Sequence, residues 1–245
     1  MGKKRCGVEG CYNTPAVTFI IQREDGRAEL PACYQHFAIA RTGARQMGDG
    51  GAWDAIYNAG FGQGDSVLSC LHVGCGQARE EHTPPRFNGP RWVHTRVDID
   101  ESVNPDIVDD IRTLVKVEDA SYDAVFSSHN IEHLHSYEVI NCLRSFYRVL
   151  KPGGALIVHV PDFGLACRLI GAGKGWEKLY DSPVGPIFPI DLVYGHRGLS
   201  AENPYMEHRT GFTKAVLTEL LFDTWFSDIQ VMERNCELQA FARKG

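Results

Sequence analysis

From residue 66 onward the apolar positions alternate between strand-like runs and a helical spacing, and that alternation predicts most of the chain's elements. SVLSCLHVGCG is an apolar, β-prone run ending in Gly74 and Gly76, the form of a buried parallel strand entering a tight turn. WVHTRVDID predicts a second strand ending in Asp98, DIVDDI a short third, and YDAVFSS a fourth after the turn around Asp119 and Ser121. From Ile131 to Leu150 the apolar residues Ile131, Leu134, Ile140, Leu143, Phe146 and Leu150 fall three or four apart, which predicts a helix. KPGG stops that helix, and ALIVHVP makes a fifth strand. A last helix is expected from about Thr213, with Val216, Leu217, Leu220 and Leu221 on one face, and the tail FSDIQVMERNCELQAFARKG supplies closing antiparallel strands. Strands alternating with helices imply an α/β fold with a doubly wound, mostly parallel sheet, whose ligands bind beyond the carboxyl ends of the strands.

The chain before residue 65 reads differently. Cys6 and Cys11, then Cys33 and His36, give a C-x4-C, x21, C-x2-H arrangement. Two close pairs separated by a loop can place four donors at tetrahedral corners, which suits a structural Zn²⁺ and resembles small zinc knuckles. AVTFII and RAEL flank the turn-forming EDGR, so a hairpin is expected between the pairs. Glycines crowd residues 38–64 around the apolar AWDAIYNAGF, a connector with one short helix. The expected organisation is a knuckle over 1–40, a connector over 41–64 and a main domain over 65–245.

Composition narrows the classes. A 43% hydrophobic and 23% charged chain of 245 residues has the balance of a soluble globular protein. No apolar run approaches the roughly 18 residues that span a bilayer, so no membrane insertion is expected. MGKKRCGVEG lacks an apolar signal stretch, so a cytoplasmic protein with reduced thiols is expected. Its eight cysteines are then buried residues, metal ligands or reactive thiols rather than four disulfides. A net charge of −6 argues against a broad nucleic-acid footprint, although Lys3, Lys4 and Arg5 leave a protein or nucleic-acid partner open through the knuckle.

The candidate chemistry lies at the strand ends. Gly74 and Gly76 permit a tight turn and close approach of a ligand to the backbone, and Asp98 is placed to accept hydrogen bonds from a ribose diol. The third glycine of the dinucleotide fingerprint is missing from G-C-G-Q-A-R, so a nucleoside without a pyrophosphate fits better. In CLHVGCG, Cys70 and His72 then read as interior strand residues rather than metal ligands, and Cys75 as part of the turn.

LHVGCG, VDID, YDAVFSSHNIEHL and RVLKPGGALIVHVPD occur in the order and spacing of the class I S-adenosylmethionine-dependent methyltransferases, which this chain resembles over residues 67–162. The resemblance implies a Rossmann-like fold and S-adenosylmethionine as cofactor. Gly74, Cys75 and Gly76 would surround its methionine part, and Asp98 would hold its ribose. Asp110 and Ile111 would flank the adenine, with Asp109 as the alternative in a shifted register, and Ser128 and His129 would face the sulfonium and substrate. Residues 163–212, rich in prolines and aromatics, are expected to form a substrate lid over a small-molecule or glycan acceptor. Transfer to a hydroxyl or amine requires a proton acceptor, for which His129, His133 and His208 are the candidates.

HNIEH at 129–133 also matches H-x-x-E-H, in which His129 and His133, one helical turn apart, would bind zinc with Glu132 as base. That hydrolase reading leaves the glycine turn, Asp98 and KPGG unexplained. A softer version places a second metal near Glu132 and His133, with His129 and His135 as further donors, to orient a substrate hydroxyl.

Overall fold

The structure, a computed structural model, describes residues 66–78, 83 and 89–245, together with two strands nearer the chain start. These two, β1 (Val17–Arg23) and β2 (Gly26–Ala32), pair antiparallel with Arg23 opposite Gly26, the hairpin expected around EDGR. Cys6, Cys11, Cys33, His36 and the connector over 41–64 lie outside the described residues.

In the main domain the chain runs β3 (Leu68–Val73), β4 (Trp92–Asp98), β5 (Ile107–Val108) and β6 (Tyr122–Ser128), then α1 (Ser136–Val149) and β7 (Leu150–Pro161). It continues through α2 (Phe163–Gly171), the β8 (Tyr180–Ser182) and β9 (Gly185–Ile187) hairpin, α3 (Pro189–Tyr194) and α4 (Arg197–Glu202). It closes with α5 (Lys214–Asp223), β10 (Phe226–Arg234) and β11 (Glu237–Lys244). Seven strands form one sheet in the order β10-β11-β7-β6-β3-β4-β5. β3 to β7 run parallel, and β11 is antiparallel to both of its neighbours. The chain starts near the sheet's middle, runs out to β5 and returns to β6 on the other side of β3, so the strand order reverses between β3 and β6. That reversal opens a crevice at the carboxyl ends of these two strands, where such sheets bind ligands.

α1 buries Val139, Cys142, Leu143, Phe146 and Val149 in one core with Leu71, Val73, Val125, Leu156 and Val158 of the sheet. This helix starts later than its apolar spacing suggests. Ile131–His133 is a single 3-10 turn, Leu134 is extended, and α1 begins only after His135, whose backbone N–H donates to Glu138 Oε2 at 2.9 Å. Ile131 is buried by the turn and Leu134 packs against the core, so burial reproduced a helical period where no helix exists. The KPGG segment also differs: β7 already begins at Leu150, and its pairing with β6 jumps from Leu150 to Ala155. Pro152 ends the helix as expected, but the glycines carry the chain through an irregular strand start instead of a separating turn.

α5 begins where the sequence places it, with the Thr213 hydroxyl accepting from Val216 N–H at 3.3 Å. Leu217 and Leu221 are buried, whereas Val216 is exposed. Segment 163–212 is more regular than a loop. Asp162 caps α2 by accepting from Leu165 N–H at 2.9 Å. Asp191 accepts from Phe188 N–H at 2.9 Å and from Arg197 Nε at 3.0 Å, and the Arg197 guanidinium lies 4.5 Å above the Trp176 ring. Arg197, at the start of α4, thereby holds α4 to α3 and to the chain before β8. No described helix is long and apolar enough to cross a membrane.

Candidate active site

The turn after β3 is built around two left-handed glycines. Gly74 has φ +58°, and a Cβ there would meet the Asn130 side chain at 2.6–2.8 Å; Gly76 has φ +51° and open space beside it. Asn130 explains the first restriction. Its amide donates to the Val73 carbonyl at 2.7 Å and its oxygen accepts from the Ser127 hydroxyl at 2.7 Å, binding the ends of β3 and β6 together. Asp98, at the end of β4, accepts from Gly76 N–H at 2.7 Å through Oδ2 and from Asp100 N–H at 3.0 Å through Oδ1. The glycine turn and the acid expected to hold a ribose therefore meet at the mouth of the crevice.

Two buttresses of this turn escape the sequence reading. Asn130 is one; Arg96 is the other. The Arg96 guanidinium donates to the carbonyls of Gly76 (2.9 Å), Ala78 (3.0 Å) and Asn104 (2.8 Å), tying the glycine turn to the loop after β4. An arginine two residues before Asp98, inside a parallel strand, is the signal that could have found it, since a charge drawn into such a sheet needs partners.

The acids after β5 divide their work. Asp109 is buried and its two oxygens accept from Asp110 N–H (2.8 Å) and Lys116 N–H (2.7 Å), so it is used up in its own turn. Asp110 faces outward and forks with Arg112, which also reaches Glu138 at 2.5 Å. Burial opposes ionisation of Asp110, but the Arg112 guanidinium outweighs it and holds the carboxyl below its usual range. Ile111 packs against the core, and its carbonyl accepts from the Ser145 hydroxyl at 2.7 Å.

Cys70 and His72 are strand-interior residues, the His72 ring lying 5.0 Å from that of Phe126. Cys75 is buried in the turn, and burial, countered by Arg96, pushes its thiol up to about 11. None of the three belongs to a set of donors close enough to share a metal among the described residues.

A second cluster follows β6. Ser128 closes the strand half-buried. His129 takes a left-handed φ of +51°, uncommon outside glycine, with its N–H donating to the His159 carbonyl at 2.9 Å. Its half-exposed ring lies between two carboxylates, 3.4 Å from Glu132 Oε1 and 3.1 Å from Glu237 Oε2. Desolvation opposes charge on this ring, yet the two carboxylates prevail and raise its pKa to about 10, so it is an imidazolium at neutral pH. Glu132 is 1% exposed. The final stretch of the 163–212 segment closes over it: Arg209 and Thr210 N–H donate to the Glu132 carbonyl (2.8 and 3.0 Å), and the Thr210 hydroxyl donates to the Leu134 carbonyl at 2.7 Å. His208 is thereby brought beside His133, their ring centroids 5.1 Å apart. His133 Nδ1 donates to the Glu207 carbonyl at 3.0 Å and His208 Nδ1 to the Leu192 carbonyl at 3.1 Å. Burial lowers the His208 pKa, keeping that ring neutral.

This geometry corrects the H-x-x-E-H reading. His129 sits in a left-handed bend before a one-turn 3-10 segment, so His129 and His133 are not one α-helical turn apart. His133 finds its partner 75 positions later, in His208.

Residues 71–158 match the family model described as "Methyltransferase domain". No curated protein matches the chain. Among solved structures it is similar to a possible exported protein from Bordetella parapertussis, at 19% identity and TM-score 0.50, covering 86% of this chain and 66% of that one. It is also similar to an S-adenosylmethionine-dependent methyltransferase from Methanosarcina mazei, at 16% identity and TM-score 0.51, covering 77% and 96%. A protein from Pyrococcus horikoshii matches at 17% identity and TM-score 0.51, covering 78% and 87%. The chain spans just under two thirds of the Bordetella protein's length, and at these identities the likeness is one of fold.

Proposed function

We propose, from the match of residues 71–158 to a methyltransferase-domain family model, that this protein is a class I S-adenosylmethionine-dependent enzyme that methylates an oxygen or nitrogen of a small-molecule or sugar-bearing acceptor. The observation that carries the reading is the hydrogen bond from Gly76 N–H to Asp98 at the reversal of strand order. It unites an open backbone turn with an acid suited to a ribose diol, and includes no third glycine for a pyrophosphate. Gly74, Cys75 and Gly76 border the methionine part of the cofactor, and Asp98 takes the ribose. Asp109 is occupied by its own turn, which supports the register with Asp110 and Ile111 beside the adenine.

The cofactor supplies a methyl carbon already activated by a positive sulfur; the protein aligns the acceptor, excludes water and handles the acceptor's proton. Ser128 and His129 border the sulfonium side of the crevice. His129, charged between Glu132 and Glu237, is a donor there, whereas His133 and His208 each spend their Nδ1 hydrogen on a backbone carbonyl and leave Nε2 outside that bond. Exposed Trp176, Tyr194 and Tyr205 in the 163–212 segment suit the flat or apolar face of an acceptor. The four donors Cys6, Cys11, Cys33 and His36 are assigned to a structural zinc. The free Cys70, Cys75, Cys142, Cys167 and Cys236 support a reducing compartment such as the cytosol.

A thermal-shift comparison of S-adenosylhomocysteine with NAD tests the reading. Ligand at a hundred times its Kd stabilises by about 2.7 kcal/mol, which for a domain of this size raises Tm by roughly 5–10 °C. That rise is expected with S-adenosylhomocysteine and not with NAD. The reverse pattern would overturn the proposal.

A further inference from the structure

We propose that Glu132, His133 and His208 bind a divalent first-row metal ion, with an open coordination position for an acceptor hydroxyl. The open position's use by an acceptor rests on the methyltransferase reading; the metal site does not. One ligand atom from each residue lies within 4.8 Å of the others. Metal bonds to nitrogen and oxygen of about 2.0–2.2 Å would draw such a set inward by small side-chain rotations.

The Glu132 carboxylate supplies the independent reason to expect a cation. It is 1% exposed, and neither oxygen has a hydrogen-bond partner among the described residues. A buried carboxylate in that condition is costly unless positive charge faces it. His129 provides some, 3.4 Å from Oε1, but among the described residues no hydrogen bond reaches Oε2. In a plain histidine–glutamate network, His133 and His208 would turn their N–H groups toward this carboxylate. Their Nδ1–H groups go instead to the Glu207 and Leu192 carbonyls, so that the neutral form of each ring carries its lone pair on Nε2. A backbone carbonyl on the far nitrogen is the usual support of a metal-binding histidine. Two imidazoles and one carboxylate with further positions open suit Fe²⁺, Mn²⁺ or Zn²⁺. The Arg209 and Thr210 bonds to the Glu132 carbonyl hold His208 in place across the cluster.

Such an ion would deepen the proposed chemistry toward oxygen acceptors, because a coordinated hydroxyl loses its proton far more readily than a free one. In the balanced step the acceptor O–H bond breaks and its proton passes to water. The oxygen bonds the methyl carbon while the carbon–sulfur bond breaks, and sulfur keeps that electron pair, leaving the methyl ether and S-adenosylhomocysteine.

The test titrates Mn²⁺ into the chelator-stripped full chain and follows free Mn²⁺ by electron paramagnetic resonance. Mn²⁺ is chosen because thiolate sites such as the N-terminal cysteines bind it poorly. One Mn²⁺ per chain is expected, with affinity at least tenfold weaker in Glu132→Gln and in His208→Asn, and unchanged in Cys11→Ser. S-adenosylhomocysteine affinity of the two site variants, measured by calorimetry, should stay within about threefold of the parent and so certify their folding. Enhanced water-proton relaxation by bound Mn²⁺ is expected from an open position. Absence of Mn²⁺ binding by protein that binds S-adenosylhomocysteine, or equal Mn²⁺ affinity in parent and both variants, would overturn the metal site. Bound Mn²⁺ without relaxation enhancement would overturn the open position. Mn²⁺ binding without any S-adenosylhomocysteine binding would leave the metal site standing and remove the methyltransferase reading.

Discussion

Replacing Asp98 by alanine is expected to weaken S-adenosylmethionine binding by about a hundredfold, read by calorimetry. A hydrogen bond to a charged group contributes ~1.5–3 kcal/mol, so losing a ribose bond alone predicts about one to two decades. The structure moves the expectation to the upper end. The same carboxylate accepts from Gly76 N–H at 2.7 Å and from Asp100 N–H at 3.0 Å, so alanine also releases the backbone turn that should border the methionine part. An asparagine side chain keeps one acceptor oxygen without the charge, and Asp98→Asn should therefore fall between parent and Asp98→Ala. An affinity unchanged in Asp98→Ala would remove the residue from the site.

The second large effect is one of stability. Gly74→Ala places a Cβ at 2.6–2.8 Å from the Asn130 side chain, at a φ of +58°. The left-handed conformation costs about 1–2 kcal/mol for a residue with a Cβ, and crowding a packed site adds about 1–3 kcal/mol. A loss of roughly 2–5 kcal/mol in chemical denaturation is expected from these two costs together, with weakened cofactor binding because Asn130 must move from Val73 and Ser127. Pairing Gly74→Ala with Asn130→Gly separates the two causes. The double variant should be more stable than the two single losses added together, since glycine in place of Asn130 removes Cβ, Cγ and Nδ2, the three clashing atoms. Strict additivity would show that the contact with Asn130 is not the source.

The parts of the site legible in the sequence were those written into short stretches. LHVGCG and VDID carry a strand, its turn and the acid that meets it, and the structure joins Gly76 to Asp98 directly. Alternating strands and helices leave few sheet orders to choose from, because connections between parallel strands are short and of one hand. What the sequence did not disclose depends on distant approach. Nothing near His133 announces His208, since the 163–212 segment that brings it back is built of short elements, with helices α3 and α4 of six residues each. Asn130 was missed because a buried amide looks in sequence like any turn residue; its role appears only when Val73 and Ser127 lie beside it. The misplaced start of α1 has the opposite cause: Ile131 is buried and Leu134 packs against the core, so core packing produced the expected spacing without the helix. His129 was read as a proton acceptor on residue type, whereas its charge depends on Glu132 and on Glu237, the latter 108 positions away.

The cofactor is expected at the carboxyl ends of β3, β4, β5 and β6, and amide hydrogen exchange with and without S-adenosylhomocysteine tests that placement. Slowed exchange is expected at residues 74–78, 98–100, 109–112 and 128–130, the loops at the carboxyl ends of β3, β4, β5 and β6. Unchanged exchange in these four loops at saturating S-adenosylhomocysteine, or protection confined to other segments, would contradict it.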